Sequence, residues 1–259
     1  MYLTATIARH QQLFESYYHL TLQAPEIAAA AKPGQFVMLK AWNGLAPFLM
    51  RPISINSADC QSGSVILLYK VVGEGTRLLS TKLPGDTMQL LGPLGNGFPL
   101  GDKPGRIAVI GRGIGIAPLR YLVETALRRG NEVYAYLSAK TEQQLFERDY
   151  LSAIGAVVRC TTDSSQNVTD CFEKDLDTLP FTAAYSCGSN RLMREMHRFG
   201  KAYGFPTYAS LESQMSCGIG ACKGCVCKTH DGDYAEHYET VCQCGPVFPR
   251  KGSYDDGTD

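Results

Sequence analysis

Four cysteines near the C-terminus constrain this chain more than any other feature. They read Cys217-Gly-Ile-Gly-Ala-Cys222-Lys-Gly-Cys225, then sixteen residues, then Cys242. The spacing C-x4-C-x2-C…C is that of a plant-type [2Fe–2S] site. A loop that brings three thiolates around one cluster must turn sharply, and Gly218, Gly220 and Gly224 are placed to take positive φ there. Such turns aim backbone N–H groups at the sulfurs and favour the more negative, reduced cluster. A zinc knuckle would show paired C-x2-C motifs or histidines at ligand spacing. Only His230 and His237 fall in the region, so zinc is the weaker reading. Cys227, two residues past Cys225, is too close to share an iron without strain, whereas Cys244 stands as an alternative to Cys242 for the fourth place. A [2Fe–2S] cluster moves one electron at a time and transforms no organic substrate, so the chain is expected to conduct electrons.

The opening residues Met1 to Thr6 show no basic segment followed by an apolar run, and no secretion signal is expected. Ten cysteines without such a signal point to metal ligation in a reducing cytoplasm rather than to disulfides. The formal net charge is zero, which gives no reason to expect nucleic acid or an anionic membrane as partner. No apolar stretch is long enough to span a bilayer, so no membrane association is expected.

At 259 residues the chain has room for two domains and a small third module. Residues 1–102 hold short apolar runs, such as Phe36 to Leu39 and Val65 to Tyr69, separated by turn residues, a rhythm that predicts a small antiparallel barrel. Residues 103–207 alternate strand and helix, which predicts a doubly wound parallel sheet. Its strands are expected at Ile107 to Ile110, at Val133 to Leu137 and in a run ending at Cys187. Its helices are expected at Ile116 to Arg129, after a capping box at Thr141 and Gln144, and at Asn190 to Tyr203 closed by Gly204. The cluster module takes residues 208–252, and 253–259 form a polar tail.

Two stretches carry the marks of nucleotide sites. In the first half, Arg51-Pro52-Ile53-Ser54 supplies a guanidinium that can fork onto a pyrophosphate and a hydroxyl that can reach a flavin nitrogen. An Arg-Pro turn on a sheet edge is the bland alternative. Gly73-Glu74-Gly75-Thr76 follows Leu68-Tyr69-Lys70 and admits a close phosphate, with Thr76 as a further donor. In the second half, Gly111-Arg112-Gly113-Ile114-Gly115 turns a strand into a helix, where backbone amides can receive a pyrophosphate. The full G-x-G-x-x-G pattern is missing, so an unliganded glycine turn stays open.

Taken in order, these motifs resemble the ferredoxin-reductase superfamily, an FAD barrel followed by a nicotinamide-dinucleotide domain. The cluster motif, Val241-Cys242-x-x-Gly245-Pro246-Val247-Phe248 and Leu91 to Phe98 are similar to the electron-transfer subunits of class 1B dihydroorotate dehydrogenases. That resemblance implies FAD, a [2Fe–2S] cluster and NAD as cofactors. It places Arg51 on the FAD pyrophosphate, Ser54 at the flavin, Thr76 on a phosphate oxygen and Cys187 beside the nicotinamide. Pro52, Ile53, Leu68, Tyr69, Lys70, Gly73, Gly75, Gly111, Gly113 and Gly115 complete the cofactor-binding set, and Cys217, Cys222, Cys225 and Cys242 become the ligands. It further implies an FMN-containing dihydroorotate dehydrogenase catalytic subunit as partner, in a dimer of heterodimers serving pyrimidine biosynthesis with NAD+ as acceptor. Arg112, Ser189 and the stretch 162–170 depart from the family pattern, all on the nicotinamide side. Two alternatives remain: the small subunit of an NADH-dependent ferredoxin:NADP oxidoreductase, whose first ligand is an aspartate where Cys217 stands, and a carrier with impaired nicotinamide binding. Ile219, Ala221, Val247 and Phe248 are expected to offer apolar surface to the partner, with internal packing the alternative for Phe248.

Overall fold

The computed structural model describes residues 1–165, 167–230 and 236–249; the tail expected at 253–259 lies outside them. Strands β1 (Tyr2–Phe14), β2 (Tyr17–Gln23), β3 (Phe36–Lys40), β4 (Arg51–Asp59), β5 (Ser64–Lys70) and β6 (Thr87–Leu94) close into a barrel in the order β1-β2-β5-β4-β3-β6. Every pairing is antiparallel. The expected barrel is therefore present, and its core follows from the period-two pattern. Leu20 and Leu22, Val37 and Leu39, and Val65 and Leu67 sit two apart on their strands and are fully buried together. Short helices α1 (Pro25–Ala30) and α2 (Glu74–Ser80) add Ile27 and Leu79 to that core.

Strands β7 (Arg106–Arg112), β8 (Glu132–Ala139), β9 (Val157–Thr162), β10 (Ala183–Cys187) and β11 (Thr207–Ser210) form a parallel sheet in the order β11-β10-β7-β8-β9. Helices α3 (Arg120–Arg128), α4 (Arg148–Ala153), α5 (Val168–Leu176) and α6 (Asn190–Tyr203) connect them. Along β7, Ile107 and Val109 pack with Leu122 and Val123 of α3, while Ala108 and Ile110 pack with Phe172 of α5 and Phe199 of α6. Burial on both faces explains the unbroken apolar run at this strand. Strand order reverses between β7 and β10, which makes the carboxyl ends of those two strands the place for a ligand.

Two expected helices differ in the structure. The one after the glycine turn starts at Arg120, not Ile116, behind a 3-10 turn at Gly113–Ile116. Pro118 has no N–H to give, and its neighbours make 3-10 bonds instead, Ala117 N–H to Ile114 C=O and Leu119 N–H to Ile116 C=O. The capping box at Thr141 opens only a 3-10 turn, Glu142–Gln144, and the Thr141 hydroxyl caps nothing. The helix Asn190–Tyr203 is as expected: Ser189 Oγ accepts from Leu192 N–H at its start, and Gly204 closes it at φ +77°.

The C-terminal region folds onto both larger units. A hairpin of β12 (Val226–His230) and β13 (Glu236–Thr240) leads to β14 (Val247–Pro249), which joins the parallel sheet as an antiparallel edge on β11. On the barrel side Asn96 takes Gly245 C=O on its N–H, and its Nδ2 donates to Cys244 C=O at 2.8 Å. Val247 and Phe248 are thereby buried, at 6 % and 3 % exposure, so the surface expected of them is absent, whereas Ile219 keeps 54 %. Ala221 is exposed.

Phe172 is the hub of one sheet core, its ring against Tyr136, Phe181, Phe199 and Phe205. Phe172→Ala should cost about 3–5 kcal/mol, lowering the denaturant midpoint clearly. A loss under about 1 kcal/mol would show that this core collapses around the gap.

Candidate redox site

The cysteine loop is built by three residues in the left-handed region: Gly218 at φ +72°, Gly220 at φ +79° and Lys223 at φ +56°. Lys223, not Gly224, takes the third such position. A Cβ on Gly218 would come within 2.6 Å of Met38 Cγ, and one on Gly220 would run into the Gln243 side chain. Each of the four sulfurs accepts a backbone N–H: Cys217 Sγ from Cys222 at 3.4 Å, Cys222 Sγ from Gly224 at 3.4 Å, Cys225 Sγ from Cys242 at 3.4 Å and Cys242 Sγ from Gly220 at 3.0 Å. N–H groups of Cys222 and then Ile219 pull the Cys217 thiol down to about 6. Cys242, rather than Cys244, is tied into this loop; Cys244 Sγ lies 4.0 Å from Thr240 Oγ1.

The sulfurs fall into two pairs, Cys217 beside Cys222 and Cys225 beside Cys242. Cys225 and Cys242 are buried with Phe36, Met38, Val241 and Phe248, while Cys222 is exposed and Cys217 half-buried. Four sulfurs in two pairs, each met by an N–H, are the donors that a two-iron cluster takes, two to each iron.

Beside this loop lies a cleft of about 250 Å3 between barrel and sheet, walled by Phe36, Pro52, Ile53, Ser54, Ile114, Ala117, Glu212, Met215 and Pro246 among others. Leu68, Tyr69 and Lys70 edge it. The Tyr69 ring, however, turns into the barrel, stacked 5.4 Å from Tyr18 and bonded to His10 Nε2, and so does not face the cleft. Arg51 lies next along β4, its guanidinium against Trp42 and over Gly75, where a Cβ would come within 2.6 Å of Arg51 Nε. Gly73 caps α2. Thr76 departs from expectation: its Oγ1 accepts from the N–H groups of Val72 and Gly73 and donates to Gly73 C=O. That hydroxyl shapes the loop instead of reaching outward.

On the other side of the 112–117 turn is a second cavity, of about 340 Å3, lined by Arg112, Thr162, Asp163, Ser165, Ser189 and Arg191 among others. All three departures from the family pattern meet here. Arg112 Nη2 donates to Asp163 Oδ1 at 2.8 Å, and the first turns of α5 and α6 open onto the space. Gly113 takes φ +56°, and Gly115 packs so closely on Cys187 C=O that no side chain fits. Gly111 lies against Ile116. These glycines let the turn approach β10, leaving Arg112 on the cavity and Ile114 on the cleft. The Cys187 thiol is buried at the strand end, lines neither space, and is pushed up by burial and the Glu212 carboxylate.

Glu212 escaped the sequence reading. It lies two residues past the end of β11 and borders the cleft, where burial among protein atoms raises its carboxyl pKa although the residue keeps solvent exposure. Its place just past the carboxyl end of a parallel strand was the available signal.

Residues 212–252 match the family described as the iron-sulfur cluster binding domain of dihydroorotate dehydrogenase B. The chain is 37 % identical over 249 residues to the protein named dihydroorotate dehydrogenase B (NAD(+)), electron transfer subunit, of Geobacillus thermodenitrificans, covering 94 % of this chain and 95 % of that one. The protein of that name from Bacillus caldolyticus is 38 % identical over 250 residues, with the same coverage. The chain belongs to this family of electron transfer subunits. Its fold is also that of a solved NADH-dependent reduced ferredoxin-NADP oxidoreductase, with a TM-score of 0.84 and 26 % identity over 98 % of this chain and 90 % of that one. A ferredoxin NADP+ reductase from Neisseria gonorrhoeae shares the fold at a TM-score of 0.64 and 20 % identity, covering 82 % of this chain and 94 % of that one. The electron transfer subunit is thus an oxidoreductase component of ferredoxin-reductase architecture, and among its described residues no helix is long and apolar enough to cross a membrane.

Cys222→Ser should abolish the [2Fe–2S] absorption of the purified subunit, and Cys227→Ser should leave it in place. Iron retained in the first variant and lost in the second would overturn this ligand set.

Proposed function

We propose that the subunit links an FMN-containing, dihydroorotate-oxidising partner to NAD(H), with FAD in the cleft and a [2Fe–2S] cluster on Cys217, Cys222, Cys225 and Cys242. The observation that carries this reading is Phe36. It walls the cleft and belongs to the same apolar group as Cys225 and Cys242, so one side chain borders both candidate cofactor positions. Bound there, the flavin supplies two-electron exchange with nicotinamide and the cluster supplies one-electron exchange with the partner.

The chain's own residues divide the work. Ser54 offers a hydroxyl inside the cleft, and Arg51 a guanidinium for the FAD pyrophosphate beside Gly75. With Arg112 paired to Asp163, Arg191 leaves the second cavity a net positive charge, suited to the phosphates of a dinucleotide whose nicotinamide crosses the 112–117 turn toward Ile114 and Ala117. The residues that break the pattern line one cavity together with Arg191, which supports working nicotinamide binding over the impaired carrier. Met50, which also packs on the cysteine core, ends a loop exposing Leu45 at 79 % and Phe48 at 75 %. With Ile219 and the exposed Cys222 these residues mark the side that a partner covers. The likeness to the ferredoxin-NADP oxidoreductase supports a second reading as a small subunit of that enzyme type; Cys217 in place of an aspartate ligand weighs against it.

Co-expression with an FMN-containing dihydroorotate dehydrogenase should give one species on size-exclusion chromatography, and dihydroorotate should then bleach this subunit's FAD. Separate elution with no bleaching would refute the partner. Arg51→Ala should weaken FAD binding by about ten- to hundred-fold, the 1.5–3 kcal/mol of a charge-assisted bond. NADH should reduce the flavin faster than NADPH in stopped flow, and silence with both would favour the carrier.

A further inference from the structure

Behind the nucleotide-domain wall of the cleft runs a buried chain of polar side chains that begins and ends on the barrel. Ser57 Oγ on β4 donates to Glu124 Oε2 at 2.6 Å. Glu124 Oε1 accepts from Arg120 Nε at 2.9 Å and from Tyr150 Oη at 2.8 Å. Arg120 Nη1 reaches Glu147 Oε2 at 3.0 Å, and Glu147 Oε1 bonds to His19 Nε2 on β2 at 2.7 Å. The Arg120, Glu124 and Glu147 side chains are exposed by only 10 %, 7 % and 2 %. Next to Ser57, Asn56 is fully buried and donates to Ala117 C=O at 3.0 Å.

Several features separate this seam from ordinary domain packing. Pairing of β4 with β5 slips at Ile55/Ser57, so a bulge turns Asn56 and Ser57 toward α3 only two and three residues after Ser54. Glu147 holds a left-handed backbone at φ +66° without being glycine, a strain placed on the residue that joins the two halves of the chain. Buried ion pairs of this kind add little stability over an apolar seam of equal volume; what they fix is geometry. The parts fixed are β4, which carries Ser54, and the turn whose Ile114 and Ala117 wall the same cleft.

We infer that the Ser57–Glu124–Arg120–Glu147–His19 chain, with Asn56, is a positioning network that sets the distance between the flavin strand and the nicotinamide turn. The inference rests on the proposed FAD and NAD(H) sites and goes beyond them by assigning roles to residues that touch neither group. Glu124→Gln keeps the shape and removes one charge; Ser57→Ala, which removes a single bond, serves if that variant folds poorly.

The test is stopped-flow reduction of the bound flavin by NADH, joined to backbone hydrogen exchange of residues 114–119. A misplaced turn should lower the limiting rate by about ten- to hundred-fold, with the apparent Kd for NADH within about two-fold of the native value and flavin content unchanged. Exchange in the turn should rise by about ten-fold. Native exchange and a native limiting rate in a variant that only melts earlier would overturn the network while leaving the cofactor sites intact. A native protein whose flavin NADH cannot reduce would instead refute the nicotinamide site, and unchanged exchange in the turn would then overturn the network as well.

Discussion

Strand β3 is covered from two directions, and the arrangement of the whole molecule follows from how it is covered. Val37 and Leu39 point into the barrel, while Phe36 and Met38 point outward and are buried just as completely. A barrel strand standing alone would leave its outer face to water. Here the cysteine loop covers it, with Gly218 closed onto Met38 and Cys225 and Cys242 in the same apolar group. Burial of those two side chains thus seats the cluster loop on the flavin barrel.

Other contacts extend that seating. Strand β14 pairs with β11 and carries Phe248 into the group around Phe36, so the third module is pinned by the sheet as well as by the barrel. Gly95 is crowded by Pro246 and the Gly245 backbone, leaving no room for a larger residue where barrel and cysteine region meet. The half-exposed pair, Cys217 and Cys222, reaches the surface, whereas the buried pair sits in one apolar group with Phe36, which walls the cleft. Such polarity suits a conductor with one end inside the subunit and the other at a partner.

Local signals in the sequence were sufficient for the barrel strands, the buried run of β7 and the helix Asn190–Tyr203, because period and caps are properties of neighbouring residues. They failed where tertiary context decides. Nothing near Thr141 indicates that its hydroxyl is buried and caps no helix, and nothing near Thr76 indicates that its hydroxyl is taken by its own loop. Arg112, Ser189 and the stretch 162–170 were legible as departures on the nicotinamide side, but nothing local shows that three strand ends bring Arg112, Asp163 and Ser189 to one cavity. Glu212 and the network around Arg120 carry no motif and become visible only through their partners. The positive φ at Lys223 instead of Gly224 is a smaller instance of the same limit.

Anomalous diffraction at the iron edge, from crystals of the cofactor-loaded subunit, bears most directly on the central claim. The account predicts two iron positions among the sulfurs of Cys217, Cys222, Cys225 and Cys242, with the flavin ring on the opposite side of Phe36. Iron bound through Cys227 or Cys244, or a flavin ring placed away from Phe36, would contradict it.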